Sequence, residues 1–245
     1  MKTAQIVIIF DWDDTLLDAG NILSSTQEQA LKDILKETEK YPFTTSWKAP
    51  SKQELYQNAG HRFKEKILPI VIPDYDEINP LHKHWADDVF NRFKQYYLQT
   101  PKTLFPGIKD MLTHLKQEGF ILAIATNKSK DLLYAELKCS KLYDFFEVIM
   151  TGDDPKIDKK VKPHPEMINL IQEKFSPQTQ FCMVGDRPFD MQAAKSSMRS
   201  SQTARIGIES HKDCELDAHQ ILSSAVEITP NMIKNLLHQP KHSPQ

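Results

Sequence analysis

The sequence is poor in cysteine: its 245 residues contain three, Cys139, Cys182 and Cys214. Small secreted domains that depend on disulfides carry a dense set of cysteines, and structural zinc sites place theirs in closely spaced pairs. The three cysteines here are too few and too widely spaced for either pattern. We therefore expect no disulfide framework and no cysteine-based zinc site, and a reducing compartment is the default expectation.

The sequence also lacks a long hydrophobic run and an excess of charge of either sign. The longest early apolar run, Ile6–Phe10, is much shorter than the roughly 20 residues of a membrane span, and acidic residues follow it directly, unlike in a signal peptide. The 31 Lys and Arg residues nearly balance the 33 Asp and Glu residues, for a formal net charge of -2. No surface for nucleic acid or for a membrane is expected. The sequence favours a soluble, cytoplasmic protein whose partner is a small molecule.

What the sequence does contain is a series of short apolar runs typical of buried parallel strands. They lack the alternation of strands that meet water on one face. They span residues 6–10, 120–125, 148–150, 181–184 and, more weakly, 203–208. Apolar residues at helical spacing lie between them, in 107–119 and 131–145. Strand and helix thus alternate from about residue 105 onward, which predicts an α/β fold with a parallel sheet covered on both faces.

The segment from about residue 19 to residue 103 does not follow this alternation. It is rich in charged, amide and aromatic residues with helix-like spacing and contains no comparable strand run. We interpret it as a separate helical insert. The predicted domains are a core of residues 1–18 and 104–229, the insert of 19–103, and a C-terminal tail of 230–245 with one short helix at 232–237.

Polar and reactive residues follow the predicted strands, where ligands bind in open parallel sheets. Alternate positions of an extended segment point to the same side, so Asp11 and Asp13 can converge while Trp12 faces away. The candidates are Asp11 and Asp13 after the first strand, Thr126 and Asn127 after the second, Lys162 in the loop region after the third, and Asp186, Arg187 and Asp190 after the fourth.

Asp11, Asp13 and Asp186 bring three carboxylates into one neighbourhood if their strands are adjacent. Such a group needs a cation to neutralise it, and an all-oxygen site with bound water suits Mg²⁺. A carboxylate that attacks a phosphate ester needs similar help, since two unit charges about 4 Å apart repel by roughly 4 kcal/mol at an effective dielectric near 20. Mg²⁺, Lys162 and the Thr126 hydroxyl can supply that help.

Each of these residues alone also has an ordinary structural explanation. An aspartate after a strand often starts a turn or caps a helix. Thr126 can be the N-cap of the following helix, and Lys162, before Pro163, can be a solvated loop lysine. The functional interpretation depends on their joint occurrence, in order, at successive strand ends.

In this order the residues resemble the haloacid dehalogenase superfamily, specifically its phosphoglycolate phosphatase-like branch, over most of residues 5–210. The four segments that match the motifs of the family are residues 10–16, 124–128, 162–166 and 185–190. Asp14 stands where many relatives have glycine. The resemblance implies a Rossmann-like parallel sheet core with an inserted α-helical cap domain, which in the family closes over the site and selects the substrate.

The resemblance also implies a role for each residue. Asp11 would be the nucleophile that forms an aspartyl-phosphate, and Asp13 would protonate the leaving alcohol and then activate water. Mg²⁺ would be held by Asp11, the backbone carbonyl of Asp13, and Asp186, with Asp190 in support. The phosphoryl group would be held by Thr126, Asn127 and Lys162. The implied enzyme is a Mg²⁺-dependent phosphatase for a small phosphomonoester.

Other functions are compatible with the same residues. A phosphomutase would use the same catalytic set and return the phosphoryl group to a sugar, and a phosphate-binding protein would keep the fold without turnover. A dehalogenase would not need Asp13 to protonate an alcohol. The expected partner is a small phosphorylated metabolite, and the expected state is a monomer or a weak dimer.

Overall fold

The computed structural model describes residues 5–37, 39–41, 49–57, 68, 75–76, 78–209 and 215–238. The chain forms two compact units, residues 1–18 with 103–245, and residues 19–102. In chain order, the strands and helices are β1 (Ile6–Phe10), β2 (Leu17–Asp18), α1 (Gly20–Ile34), α2 (Lys52–Gln57), α3 (Pro80–Gln99), β3 (Thr103–Leu104), α4 (Ile108–Gln117), β4 (Ile121–Ala125), α5 (Lys130–Ser140), β5 (Val148–Met150), α6 (Glu166–Gln172), β6 (Gln180–Gly185), α7 (Pro188–Lys195), β7 (Thr203–Ile208), β8 (Gln220–Leu222) and α8 (Pro230–His238).

The first unit is built on a six-stranded sheet in the order β5-β4-β1-β6-β7-β8. All of its strand pairs are parallel, and β1 lies between β4 and β6, with Ile8 opposite Leu122 on one side and Cys182 on the other. Both faces of such a sheet are covered, which explains why β1 is a continuous apolar run. The predicted parallel α/β sheet is confirmed.

Helices of the first unit bury the apolar residues of this sheet. Val7 and Ile9 of β1 belong to one core cluster with Ile168 and Ile171 of α6 and with Met191 of α7. Helix α4 packs against β4, and α8 packs against β6 and β7. This packing fixes the strand ends relative to one another, and so fixes the residues that follow them.

A two-stranded antiparallel pair marks the points where the chain leaves and rejoins the first unit. Leu17 of β2 lies opposite Leu104 of β3, and Asp18 lies opposite Thr103. The two ends of the second unit are therefore held next to each other.

The second unit contains three helices in its described part. Leu31 and Ile34 of α1, Leu55 of α2, and Trp85 and Val89 of α3 form its core. Helix α3 begins with an Asn79 side chain that accepts a hydrogen bond from the Leu81 N–H, followed by proline at the first helical position, a typical helix start.

The elements α5, β8 and α8 are among those that differ from the sequence prediction. The helix expected at 131–145 ends at Ser140, because Lys141 adopts a left-handed φ of 57° that cannot continue an α-helix, and a short 3₁₀ turn follows at Tyr143–Phe145. The edge strand β8 was not predicted, since only one of its three residues is buried. The segment predicted as a tail begins with α8, whose Ile233 and Leu237 are buried.

None of the helices in the described part of the chain is long and apolar enough to cross a membrane.

Candidate active site

The carboxyl ends of three neighbouring strands bring the predicted residues together. Asp11 follows β1, Thr126 follows β4 and Asp186 follows β6, and β1 lies between the other two strands. The Asp11 N–H donates to the carbonyl of Val184 at 2.8 Å, and the Thr126 N–H donates to the carbonyl of Met150 at 3.1 Å. Backbone pairing therefore continues to the reactive residues and fixes their positions.

A cluster of buried carboxylates lies at this edge of the sheet. Asp11, Asp186 and Asp190 each offer an oxygen, and these oxygens all lie within 4.8 Å of one another. Burial raises the pKa of Asp190 to about 8 against the opposing effect of Lys162, and burial together with the charge of Asp186 raises the pKa of Asp11. The cluster therefore stores electrostatic repulsion that a cation would relieve.

The donor set of this cluster fits a hard divalent cation. Asp190 Oδ1 is buried and makes no hydrogen bond of normal geometry with any described residue, although Lys162 Nζ lies 2.6 Å from it. The Thr15 hydroxyl donates to Asp186 Oδ1 at 3.1 Å, and the Arg187 N–H donates to Asp190 Oδ2 at 3.0 Å, so both carboxylates are oriented by neighbours. Three buried carboxylates, two of them oriented in this way, are a suitable set of ligands for Mg²⁺.

Gly185 allows Asp190 to take this position. A Cβ atom at residue 185 would lie 2.5 Å from the carboxyl carbon of Asp190, which is too close for any side chain. The carboxylate cluster therefore depends on the absence of a side chain at the end of β6.

Lys162 is a buried cation between two of the carboxylates, and not a solvated loop lysine. Its Nζ lies 2.7 Å from Asp11 Oδ1 and 2.6 Å from Asp190 Oδ1, and its side chain has no exposed area. Burial alone would lower its pKa, but Asp11 and Asp190 outweigh that effect and raise the pKa above its ordinary value. Lys162 therefore stays charged between the carboxylates of Asp11 and Asp190.

The Asn127 side chain fixes the backbone of Lys162. Its Nδ2 donates to the Lys162 carbonyl at 2.9 Å, and its Oδ1 accepts from the Lys162 N–H at 3.0 Å. Asn127 thereby joins the end of β4 to the lysine loop. Its predicted contact with a phosphate stays a prediction.

Thr126 is buried beside this pair. Its hydroxyl oxygen accepts a weak hydrogen bond of 3.3 Å from the Lys128 N–H. Helix α5 takes Ser129, and not Thr126, as its N-cap residue. The Thr126 hydroxyl hydrogen, which has no acceptor in the described part of the chain, can be donated to a ligand, and its predicted phosphate contact stays a prediction.

Asp13 lies in a second group of charges. Its Oδ1 accepts from Lys128 Nζ at 2.6 Å, and Lys128 also donates to both carboxylate oxygens of Glu136, at 2.9 and 2.8 Å. Burial raises the pKa of Asp13 to about 7, with Lys128 opposing and Glu136 adding to the increase. Asp13 can therefore carry a proton near neutral pH, as a general acid must.

A tight turn separates Asp13 from β2. The N–H groups of Leu16 and Leu17 both donate to the carbonyl of Trp12, at 3.0 Å each. Asp14 takes a left-handed φ of 58° within this turn. Aspartate adopts that conformation more readily than most residues. Asp14 can therefore occupy a position where many members of the haloacid dehalogenase superfamily have glycine.

Sequence analysis gave no site role to three residues that contact the predicted site, Thr15, Lys128 and Glu136, whereas Arg187 was among its candidates. Thr15 and Arg187 orient the carboxylates, and Lys128 and Glu136 surround Asp13. One signal was available for Glu136: it lies among the apolar positions of α5 and is itself buried. A charged residue on the buried face of a helix needs a partner, and that partner is Lys128.

Comparisons with known proteins show the family of this chain. The sequence model of the haloacid dehalogenase-like hydrolases matches residues 8–201. A phosphoglycolate phosphatase of Vibrio vulnificus (strain CMCP6) is 28% identical over 192 residues, 78% of this chain and 79% of that protein. The pyrophosphatase PpaX of Bacillus pumilus (strain SAFR-032) is 26% identical over 195 residues, 78% of this chain and 78% of that protein. The solved structure of a predicted phosphoglycolate phosphatase from Haemophilus somnus matches with a TM-score of 0.71 at 21% identity, over 96% of this chain and 99% of that one.

Proposed function

We propose that this chain, which belongs to the haloacid dehalogenase-like hydrolases, is a Mg²⁺-dependent phosphatase that hydrolyses a small phosphomonoester through an aspartyl-phosphate on Asp11. The observation that best supports this proposal is the contact of Asp11 with a buried lysine, Lys162, inside a cluster of carboxylates. A carboxylate in that position meets a cation that can hold the phosphoryl group and a site that can hold a metal. We propose a substrate similar to phosphoglycolate, for which one of the relatives is named.

The proposed metal ligands are the side chains of Asp11, Asp186 and Asp190 and the backbone carbonyl of Asp13. When bound, Mg²⁺ would supply positive charge to the phosphoryl oxygens and reduce their repulsion of the attacking carboxylate.

The proposed reaction has two steps carried out by residues of this chain. Asp11 attacks phosphorus while Lys162 and the Thr126 hydroxyl hold the phosphoryl oxygens. As the bond from phosphorus to the ester oxygen breaks, Asp13 gives its proton to that oxygen, and an alcohol leaves. Asp13 then takes a proton from water, which attacks phosphorus, releases phosphate and restores the Asp11 carboxylate.

We further propose that the helical unit of residues 19–102 is the cap that selects the substrate. The proposed enzyme is cytoplasmic, acts as a monomer or a weak dimer, and takes a small phosphorylated metabolite with no nucleic acid or membrane partner.

Hydrolysis of an aryl phosphate by the purified full chain, with and without Mg²⁺, tests the activity. We expect phosphate release that requires the metal, and no release with Mg²⁺ present would favour a phosphate-binding protein.

The variant Asp11→Asn tests the nucleophile. It should abolish turnover while a circular dichroism spectrum stays unchanged, whereas Asp110→Asn, a change of the same kind at an exposed position of α4, should retain activity. Acid quenching during turnover should trap a phosphoprotein that hydroxylamine cleaves, as expected of an acyl phosphate, and Asp11→Asn should form none. Turnover by Asp11→Asn would contradict the assignment.

The acceptor of the phosphoryl group distinguishes a phosphatase from a phosphomutase. A screen of phosphorylated metabolites that measures both free phosphate and isomerised sugar phosphate would identify the substrate class. We expect free phosphate, because water is the proposed acceptor.

A further inference from the structure

A chain of buried polar side chains leads from the interior of the first unit to Asp13. Trp12 Nε1 donates to Glu136 Oε2 at 2.8 Å, Glu136 accepts from Lys128 Nζ, and Lys128 Nζ reaches Asp13 Oδ1 at 2.6 Å. The side chains of Lys128 and Glu136 are 2% and 4% exposed. Asp13, at 23% exposed, is the member that reaches solvent.

Lys128 is held in place along both its backbone and its side chain. Its N–H donates to the Thr126 hydroxyl oxygen at 3.3 Å, and its carbonyl accepts from the Gly152 N–H at 2.8 Å. Its ammonium group meets the two oxygens of Glu136, which is itself fixed on α5 and by Trp12. An ammonium group with so many fixed partners has little freedom to move, and so Asp13 Oδ1 has a fixed partner too.

A buried ion pair contributes little stability by itself, because the desolvation of both charges offsets their attraction. If the Lys128–Glu136 pair served only to stabilise the fold, Lys128 would not need its further contact with the partly exposed Asp13 carboxylate. By occupying Oδ1, Lys128 fixes the rotation of the Asp13 carboxyl group. In the described part of the chain Oδ2 has no hydrogen-bond partner, which leaves it for proton exchange.

We propose that Lys128 and Glu136 are positioning residues that hold the Asp13 carboxyl group so that Oδ2 exchanges the proton with the leaving alcohol and with the attacking water. This inference rests on the proposed phosphatase function. Lys128 orients Asp13 directly, and Glu136 acts through Lys128, with Trp12 fixing the Glu136 carboxylate. Neither residue is assigned any contact with the substrate.

The dependence of the rate on the leaving group tests this proposal. In the full chain with Mg²⁺, kcat/KM is measured for an alkyl phosphate, such as phosphoglycolate or glycerol phosphate, and for dinitrophenyl phosphate. The alkyl alcohol needs a proton as it leaves, whereas dinitrophenolate leaves without one. Because kcat/KM reports on steps up to the departure of the leaving group, only the alkyl substrate depends on a well-placed acid.

For Glu136→Gln and Lys128→Met we expect kcat/KM for the alkyl phosphate to fall by about 100-fold, since misplacement of a catalytic group by about 1 Å has effects of that size. For dinitrophenyl phosphate we expect a change of about threefold or less. The ratio of the two values does not depend on the fraction of folded protein. The control Glu118→Gln removes a partly exposed carboxylate that lies 3.7 Å from Lys234, and it should leave both values unchanged.

An equal loss for both substrates in both variants would overturn the proposal and indicate a merely structural role, and so would the absence of any loss. If the unmodified chain hydrolysed neither substrate, the proposed function would fail, and this inference with it. The behaviour of the unmodified chain thus separates the two failures.

Discussion

Replacing Lys162 by methionine removes the cation that lies between two buried carboxylates. Methionine keeps most of the length and apolar volume of the side chain, so the main change is the loss of charge. Lys162 Nζ lies 2.7 Å from Asp11 and 2.6 Å from Asp190, and without it these carboxylates lose the cation that they share, while Asp186 stays close to both. We expect a large loss of stability in the absence of metal.

The size of the loss follows from the geometry. At an effective dielectric near 20, two opposite unit charges 2.7 Å apart, the distance from Lys162 Nζ to Asp11 Oδ1, attract by roughly 6 kcal/mol. The contact with Asp190 adds less at neutral pH, because burial raises the pKa of Asp190 to about 8. Each buried ion loses several kcal/mol of hydration, and in the intact pair this cost offsets most of the attraction. After the substitution, the carboxylates still carry their desolvation cost but no longer have the attraction of the lysine. Removal of one partner of a buried pair lowers the free energy of unfolding by about 3–5 kcal/mol.

Lys195 provides a matched control. Its Nζ also lies 2.7 Å from a carboxylate, that of Asp217, but the two side chains are 63% and 56% exposed. Water screens such a pair, and it contributes about 0–1 kcal/mol. Lys195→Met should therefore have little effect, although the substitution and the distance are the same.

Urea unfolding at neutral pH, first in chelator and then in Mg²⁺, measures the difference. In chelator we expect the midpoint of Lys162→Met to fall well below that of Lys195→Met. Saturating Mg²⁺ should recover part of the loss, since a ligand at 100 times its Kd stabilises the native state by about 2.7 kcal/mol. Losses of less than about 1 kcal/mol in both variants would refute the argument that burial makes the Lys162 contacts strong.

Two further predictions concern single side chains. Asp186→Asn should raise the Mg²⁺ concentration needed for half-maximal activity by at least about tenfold, because it removes a proposed charged ligand. An unchanged requirement would contradict the proposed role of Asp186 as a metal ligand. Burial raises the pKa of Cys182 to about 12, whereas Cys139 is exposed. In a Cys214→Ser variant, which keeps only these two cysteines, a thiol reagent at about pH 8 should therefore modify one thiol in the native protein and two after unfolding. Rapid modification of two thiols in the native protein would show that Cys182 is accessible.

The sheet was predictable because its signal is local. A strand buried on both faces is apolar along its whole length, and the predicted runs at 6–10, 148–150 and 203–208 have the observed bounds. An edge strand such as β8 lacks that signal because little of it is buried. Helix α5 was predicted too long, since nothing in the residue type of Lys141 indicates a left-handed conformation.

The environment of each site residue was not predictable, because it depends on which strands lie side by side. The order of candidate residues along the chain indicated one shared site, and the positions of Asp11, Asp186 and Asp190 agree with it. Taken alone, the sequence around Lys162 indicated a solvated loop lysine before a proline. Its burial arises from the Asn127 side chain and from two carboxylates, all distant in the chain.

The central place of β1 in the sheet has a consequence for the synthesis of the protein. Strand β1 is synthesised before both of its neighbours in the sheet, which begin only at Ile121 and Gln180. Until both have emerged, β1 is an apolar segment with two unpaired edges, followed by an acidic run. Pairing over such separations is slow, and exposed apolar strands aggregate. The nascent chain therefore carries Asp11 without the residues that surround it in the folded site until β6 has emerged, and it depends over that interval on protection from association.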